Sequence, residues 1–302
     1  MQPDSRFTGK SLSFWADVKK ISEACGYTVK PVPPATGRIR VHTLAEIAAG
    51  YIKLNLDWSH LATLVGTTYS PTPYGQDVLD YLAHRAAALA SAPALLMDAS
   101  QAKIEFDAMK ATKAAWNCPF PMNKQKGALM RQPAYLTGLV NMILEHNLGG
   151  LSVNYNPTTL TAVTRNRRPL RTMSRRVDGA FPRPVNPTAI WEIKEYYYTT
   201  TFGSRIADGV YETLLDGMEI QEMSIAEGVK IHHCLIVDAR DTWWSTGGRP
   251  YLCRMVDMLH MGYADEVMFG REILTQLPVL VHQWIADHAA NVLLHPGDIL
   301  PA

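Results

Sequence analysis

The chain has 302 residues, of which 47% are hydrophobic and 19% are charged, a balance typical of a globular protein with a substantial core. The formal net charge is only +1, which excludes the strong overall basic field that marks many nucleic-acid-binding proteins. No apolar run approaches the ~20 residues that a membrane helix needs, and the first residues lack the apolar core of a signal peptide. We therefore expect a cytoplasmic protein without a membrane partner.

The first 120 residues are predicted to form a mostly helical region. Apolar residues at helical spacing indicate helices at 10–24, 43–50, 54–66, 76–92 and 98–116. No catalytic constellation is recognisable in this region. Two interpretations stay open for the segment 51–64, a helical DNA-reading element or part of a packing or dimer-forming bundle. The bundle is favoured because Lys53 and His60 are the only basic residues of the segment.

Residues 121–302 are predicted to form an α/β domain, because helical and strand patterns alternate along them. Helices are expected at 124–147, 203–227, 251–259 and 271–294. Strands are expected at 151–163, around Asp178, and at 189–198, 231–237 and 266–269. From 124 to 239 the order of elements is therefore helix, three strands, helix, strand.

Two acidic residues and a lysine stand out on neighbouring predicted strands. Alternation along the second strand puts Glu192 and Lys194 on one face, and it puts Trp191 and Ile193 on the other. A proline-rich turn separates this strand from Asp178, and such a turn suits a connection between adjacent strands. If the strands pair, two carboxylates and a lysine converge. Carboxylate oxygens suit Mg²⁺, and phosphodiester hydrolysis uses such a site.

Asp178 and the Glu-Ile-Lys run at 192–194 resemble the motif of the PD-(D/E)XK nuclease superfamily, which includes many restriction endonucleases. Val177 stands where the first motif of that family has its proline. The resemblance covers about 124–239 and implies a restriction-endonuclease-like αβββαβ core with a mixed central sheet. The family carries its acidic residue on the second strand and its E-x-K on the third, which are the places of these residues here.

The resemblance also implies a role for each residue of the motif. Asp178 and Glu192 would each supply a carboxylate oxygen to Mg²⁺, with one or two ions per site, and Ile193 would add its backbone carbonyl. Lys194 would hold or deprotonate the attacking water, or stabilise the developing pentavalent phosphate, with a pKa lowered by the adjacent cation and by partial burial. Glu145 is the candidate for an accessory carboxylate on the first core helix, although its position near a helix C-terminus favours an ordinary surface residue.

Arginines are concentrated just ahead of Asp178, where they could follow a phosphate backbone. The predicted DNA-binding residues are Arg165, Arg167, Arg168, Arg171, Arg175 and Arg176, together with Arg205 at a predicted helix start. A solvated basic hairpin is the alternative interpretation of the cluster, and a surface arginine is the alternative for Arg205.

The expected function is that of a magnesium-dependent endonuclease that hydrolyses phosphodiester bonds of double-stranded DNA, in a restriction or phage-defence role. A homodimer is expected because cutting both strands of a duplex needs two active sites. The alternatives are a DNA repair or recombination nuclease of the junction-resolvase type, a catalytically inactive DNA-binding module, and a metal-free structural domain. In the last case Glu192 and Lys194 form an ordinary salt bridge on a strand.

Overall fold

A computed structural model of the chain describes residues 1–29, 37–123, 132–198 and 204–294 and has a mixed α/β fold. The helices are α1 (Leu12–Cys25), α2 (Leu44–Lys53), α3 (Pro73–Ala88), α4 (Ala92–Leu95), α5 (Ala99–Ala111), α6 (Tyr135–Leu148), α7 (Ser204–Glu227), α8 (Arg249–His260) and α9 (Ile273–Leu294). The strands are β1 (Thr28–Val29), β2 (Arg38–Ile39), β3 (Ala62–Val65), β4 (Thr68–Pro71), β5 (Ala162–Arg165), β6 (Arg168–Thr172), β7 (Gly179–Phe181), β8 (Ala189–Glu195), β9 (His232–Asp238) and β10 (Glu266–Phe269).

The central sheet is mixed and has the strand order β10-β9-β8-β7. Strand β7 runs antiparallel to β8, whereas β8, β9 and β10 are parallel to one another. A single antiparallel bridge between Asn154 and Ala180 continues the sheet beyond β7. Every residue of β9 is buried, as its near-continuous apolar run predicts for a strand covered on both faces.

Helices cover both faces of this sheet, which gives three layers. On one face, Trp191 and Ile236 pack in a cluster with side chains of α5, α6 and α9. On the other face, Leu235 and Val237 pack in a cluster with side chains of α7 and α8. Glu192 and Lys194 alternate with Trp191 along β8, so they belong to the α7 side of the sheet.

The N-terminal part of the chain has its own apolar cluster, contributed by α1, α2 and α3. It is joined to the sheet region by a buried ion pair between Arg85 on α3 and Asp257 on α8. Helix α5 does not belong to this cluster, because Ala102 and Phe106 pack with α6. In its packing, the mostly helical region therefore ends before α5, whereas the sequence placed its boundary at residue 120.

The predicted helix at 54–66 is wrong, and with it the helical DNA-reading element that is the less favoured of the two interpretations of 51–64. Helix α2 ends at Lys53, and the antiparallel hairpin of β3 and β4 follows. Gly66 has a φ of 63° in the tight turn that pairs Val65 with Thr68. The threonines and the valine around this glycine favour a hairpin, because β-branched side chains fit a strand and glycine fits the turn.

The predicted strand at 151–163 is reduced to the bridge at Asn154 and to the start of β5. Strands β5 and β6 form a separate hairpin beside the sheet. The helix predicted at 124–147 is observed as α6, and residues 124–131 lie outside the described part of the chain. The elements predicted at 203–227, 231–237, 251–259, 266–269 and 271–294 are confirmed as α7, β9, α8, β10 and α9, with small differences at their ends.

Candidate active site

Strand pairing brings the two predicted carboxylates together. Gly179 lies opposite Trp191 in the antiparallel pair of β7 and β8, so the preceding residue, Asp178, lies opposite Glu192. The backbone N–H of Asp178 donates to Oε1 of Glu192 at 3.1 Å. The backbone N–H of Ile193 in turn donates to Oδ2 of Asp178 at 2.8 Å. Each carboxylate is thus held by the backbone of the opposite strand.

Gly179 permits this close pairing. A Cβ atom at this position would lie 2.0 Å from Cε2 of the Trp191 indole, so any larger residue would have to displace this buried ring from beside the strand. The turn that joins the strands, which is rich in proline, connects immediate neighbours as the sequence predicted.

Lys194 lies on the same face of β8 as Glu192 and is almost fully buried, with 7% of its side chain exposed. Its Nζ donates to Oε2 of Glu192 at 2.8 Å and to Oε2 of Glu212 at 3.1 Å. The aliphatic part of the lysine passes along α7, where a Cβ at Gly209 would lie 3.2 Å from its Cδ. Gly209 therefore leaves the space through which the lysine reaches the carboxylates.

Arg175 is the second cation of the site. Its guanidinium lies 3.1 Å from each oxygen of Glu192, through Nη1 to Oε1 and Nη2 to Oε2. It also donates from Nη1 to Oδ2 of Asp216, and its Nη2 lies 3.4 Å from Oε2 of Glu212. Arg175 therefore links β8 to two carboxylates of α7, and it is turned inward instead of toward solvent.

Asp216 is the one buried carboxylate of the site that the sequence did not indicate. It is fully buried on α7, and among the described residues its Oδ1 has no hydrogen-bond partner. Burial, followed by the charge of Glu192, raises the pKa of Asp216 to about 7. It lies three residues after Thr213 and four before Ile220, both buried, so an acidic residue within the core face of α7 was the signal available.

The charges of the site shift the pKa values of its two strand carboxyls in opposite directions. Burial alone would raise the pKa of Glu192, but Lys194 and Arg175 outweigh burial and lower it. The pKa of Asp178 is raised, first by the loss of hydration among the surrounding protein atoms and then by the charge of Glu192, although part of its surface still reaches solvent. Glu192 is therefore stabilised as the anion, whereas Asp178 takes up a proton more readily than an ordinary aspartate.

The lowered pKa predicted for Lys194 is wrong for this arrangement of charges. Burial lowers the pKa of its ammonium group, but Glu192, Asp178 and Glu212 together raise it above the ordinary value for lysine. Lys194 is therefore a persistent cation here, because its carboxylate neighbours outweigh the loss of hydration.

The oxygen atoms at this edge of the sheet are of the type that a hard divalent cation such as Mg²⁺ prefers. Asp178 and Glu192 offer carboxylate oxygens side by side. Ile193 offers its backbone carbonyl on the same edge, since the N–H and C=O groups of one strand residue point the same way and its N–H points to Asp178. Within the described ranges no group of three or more His, Cys, Asp or Glu side chains is arranged to hold a metal ion. The predicted ligand set has only two carboxylates, and both oxygens of Glu192 are engaged by Arg175.

Glu145 does not join this cluster. Its side chain pairs with Lys113 and accepts backbone hydrogen bonds from Asn117 at 2.8 Å and Cys118 at 2.6 Å. These contacts fasten α6 to the segment that follows α5, so the residue has a structural explanation. The prediction that Glu145 is an accessory carboxylate beside Asp178 and Glu192 is therefore wrong.

The predicted DNA-binding arginines divide into two groups. Five are exposed on the β5–β6 hairpin and the segment after it: Arg165, Arg167, Arg168, Arg171 and Arg176. Two of these have loose acidic neighbours on α7, at 3.9 Å from Glu227 and 3.6 Å from Glu222. Arg175 is turned into the carboxylate cluster instead. The backbone of Arg205 lies in the first turn of α7, but its side chain lies outside the described part of the structure.

Comparison with known proteins places the sheet region in a family. A family model described as "Domain of unknown function (DUF7687)" matches residues 97–284, which is more than half of the chain. The chain belongs to the DUF7687 family. All residues of the site lie within that match, and its start near residue 97 agrees with the packing of α5 against α6.

A second model, "Domain of unknown function (DUF7690)", matches residues 1–92, which hold α1, α2 and α3. No curated protein and no solved structure matches the chain. Across the described residues, none of the helices combines the length and the apolar character needed to cross a membrane.

Proposed function

We propose that the protein is a magnesium-dependent endonuclease of the PD-(D/E)XK type that cuts double-stranded DNA in a restriction or phage-defence role. The observation that carries the proposal is the pairing of Asp178 with Glu192 across β7 and β8, with Lys194 on the same face bonded to Glu192 at 2.8 Å. Two adjacent carboxylates beside a buried lysine are groups that metal-dependent phosphodiester hydrolysis can use.

The arrangement of elements supports the same proposal. Helix α6 is followed by the bridge at Asn154, by the separate β5–β6 hairpin, by β7 and β8, by α7 and by β9. One carboxylate lies just before β7 and the other on the neighbouring β8 of a mixed sheet. Without the hairpin, which lies outside the central sheet, this is the order that the resemblance to PD-(D/E)XK nucleases implies, with the first strand shortened to one bridging residue.

Each side chain has a defined task in the proposed reaction. Asp178, Glu192 and the carbonyl of Ile193 would hold Mg²⁺, which supplies positive charge to the phosphate oxygens and favours ionisation of water. Lys194, as a persistent cation, would donate to the phosphate oxygens as negative charge develops on them. Of the roles considered for Lys194, charge stabilisation is favoured by the ion pairs that its ammonium group makes with Glu192 and Glu212.

The exposed arginines of the β5–β6 hairpin support DNA as the substrate. The five exposed arginines lie in the segment that leads directly to Asp178, so a phosphate backbone bound along the hairpin would continue toward the carboxylates. A homodimer is part of the proposal, because two active sites are needed to cut both strands of a duplex.

Plasmid cleavage tests the proposal. The purified protein should cut DNA with Mg²⁺ and not with EDTA, and Lys194→Ala should lower the cutting rate by about a thousandfold while DNA binding is retained. Lys103→Ala is the matched control, since Lys103 forms an exposed pair with Asp107 on α5 and should leave cutting unchanged. Cutting that survives Lys194→Ala would reject the site.

The form of the products separates the remaining alternatives. Discrete fragments from linear duplex would support a sequence-specific enzyme. Cutting confined to four-way junctions would replace it with a junction-resolvase type of nuclease. Binding of duplex DNA without cutting under any divalent cation would leave a DNA-binding module, and the absence of both would leave a structural domain.

A further inference from the structure

Arg175 occupies the oxygens that a divalent cation would use. Its guanidinium contacts both oxygens of Glu192 at 3.1 Å, and such a two-point contact is among the strongest that a carboxylate makes. Glu192 is fully buried, so no oxygen of its carboxylate can turn to solvent to meet an incoming ion. Binding of a cation at Glu192 therefore requires the arginine to release at least one oxygen.

Glu192 and Asp216 differ in the contacts that would remain to them if the guanidinium of Arg175 moved away. Glu192 keeps the ammonium of Lys194 at 2.8 Å and the backbone N–H of Asp178 at 3.1 Å. Asp216 is also fully buried, and its Oδ1 has no hydrogen-bond partner in the described part of the chain, so Arg175 is its main counter-charge. A buried carboxylate that loses its counter-charge is strongly disfavoured, whereas one that keeps an ammonium and a backbone N–H is still compensated. The arginine can therefore leave Glu192 far more readily than it can leave Asp216.

We propose that Arg175 is a built-in counter-cation, which holds Glu192 until a divalent cation replaces it, and that Asp216 is the positioning residue that retains the displaced guanidinium. The inference rests on the divalent-cation chemistry of the proposed function. Asp216 then affects cation binding through Arg175, without itself contacting the ion. Glu212 pairs with both Arg175 and Lys194, but its side chain is half-exposed. Because solvent can compensate its charge, it does not hold the guanidinium in place as Asp216 does.

Binding of Mn²⁺ to the full-length protein without DNA tests the inference, with the affinity measured by titration calorimetry. Arg175→Gln should bind Mn²⁺ on the order of tenfold more tightly than the wild type, because the competing cation is gone. Arg176→Gln is the matched control: the same charge is removed one residue along the chain from an exposed side chain, and the Mn²⁺ affinity should change less than about twofold.

A double-mutant cycle tests the part assigned to Asp216. Asp216→Asn should weaken Mn²⁺ binding several-fold, because the displaced arginine loses its anchor. In the double variant Arg175→Gln/Asp216→Asn this loss should disappear, and the affinity should return to that of Arg175→Gln. A loss that persists in the double variant would show a direct effect of the Asp216 charge and would overturn the positioning role.

A second substitution is available in case the first variant does not fold. The results also distinguish a failure of this inference from a failure of the proposed function. If Arg175→Gln fails to fold by circular dichroism, Arg175→Lys, which keeps the charge but loses the two-point contact, should still raise the Mn²⁺ affinity. Unchanged or weaker binding in the folded variant refutes the inference, even for an enzyme that cuts DNA. The predicted binding pattern in a protein that cuts no DNA refutes the nuclease and leaves the inference standing.

Discussion

Within the residues that the structure describes, two arginine–carboxylate clusters that contain buried carboxylates differ in their balance of charge. In the first, between α3 and α8, Arg85 donates to both oxygens of Asp257 at 3.0 and 3.1 Å and to Ser22 at 3.0 Å, and Tyr81 adds a hydrogen bond to the same carboxylate. One cation faces one carboxylate, and both side chains are buried. This cluster joins the region matched by DUF7690 to the region matched by DUF7687.

The second cluster, at β8 and α7, is unbalanced. Arg175 and Lys194 face four carboxylates, those of Asp178, Glu192, Glu212 and Asp216. Two of the four, Asp178 and Glu212, reach solvent. Excess negative charge next to solvent raises the free energy of the folded chain, and a bound cation would relieve it. The balanced cluster therefore serves stability, whereas the unbalanced one is suited to binding.

The largest effect on stability is expected in the balanced cluster. Arg85→Met should lower the free energy of unfolding by about 3–5 kcal/mol, because it leaves Asp257 buried without its cation. Urea denaturation measures the loss, and cutting per folded molecule should stay unchanged. Adding Asp257→Leu to this variant should recover much of the stability. A loss below about 1 kcal/mol would mean that the two clusters do not differ in the way proposed.

A smaller, pH-dependent effect is expected from Asp216. Its pKa of about 7 lies above the ordinary 3.8, so between these values the folded protein binds a proton that the unfolded chain releases. The contribution of Asp216 to the free energy of unfolding is fully present below pH 3.8. It is lost as the pH rises toward 7, by at most about 1.4 kcal/mol per pH unit. The wild type should therefore lose more unfolding free energy than Asp216→Asn between about pH 5 and pH 7. If the free energy of unfolding fell equally with pH in the wild type and in Asp216→Asn, the raised pKa of Asp216 would be contradicted.

The smallest effect has the opposite sign to that of Arg85→Met. Asp178→Asn should stabilise the protein without divalent cation by a few tenths of a kcal/mol, because it removes a carboxylate that has lost hydration and is repelled by Glu192, with solvent screening most of the gain. The same change should abolish cutting. Asp107→Asn, which removes only a surface pair with Lys103, is the comparison and should give no such gain in thermal unfolding. If Asp178→Asn instead lowered the stability, the carboxylate of Asp178 would contribute to the stability of the fold, as that of Asp257 does.

Much of the fold could be predicted because its signals are local. Helix α7 and strands β9 and β10 each occupy one continuous run whose periodicity or apolar content fits a single kind of element. The hairpin of β3 and β4 was missed because an apolar segment of this length fits a helix as well, and only the turn at Gly66 separates the two. Strand pairing at Asp178 depended on a nearby turn and was within reach of the same reasoning.

The charge partners within the site could not be predicted in the same way. Arg175 is one of six arginines in a short stretch, and no feature of the sequence distinguishes the one that turns inward. Its partners Glu212 and Asp216 come from α7, far along the chain. The pKa of Lys194 is lowered by burial and raised more strongly by Glu192, Asp178 and Glu212 together, and the balance depends on how closely strand pairing and helix packing bring these carboxylates to the ammonium group.

Amino-acid order alone therefore determined which side chains share a face of β8 and that an α/β domain follows a largely helical segment, since alternation and periodicity act between near neighbours. Only tertiary structure decided which cation neutralises which carboxylate. Ion pairing depends on distance and burial in space, and the packing of α7 against the sheet sets both for Arg175, Lys194 and Asp216.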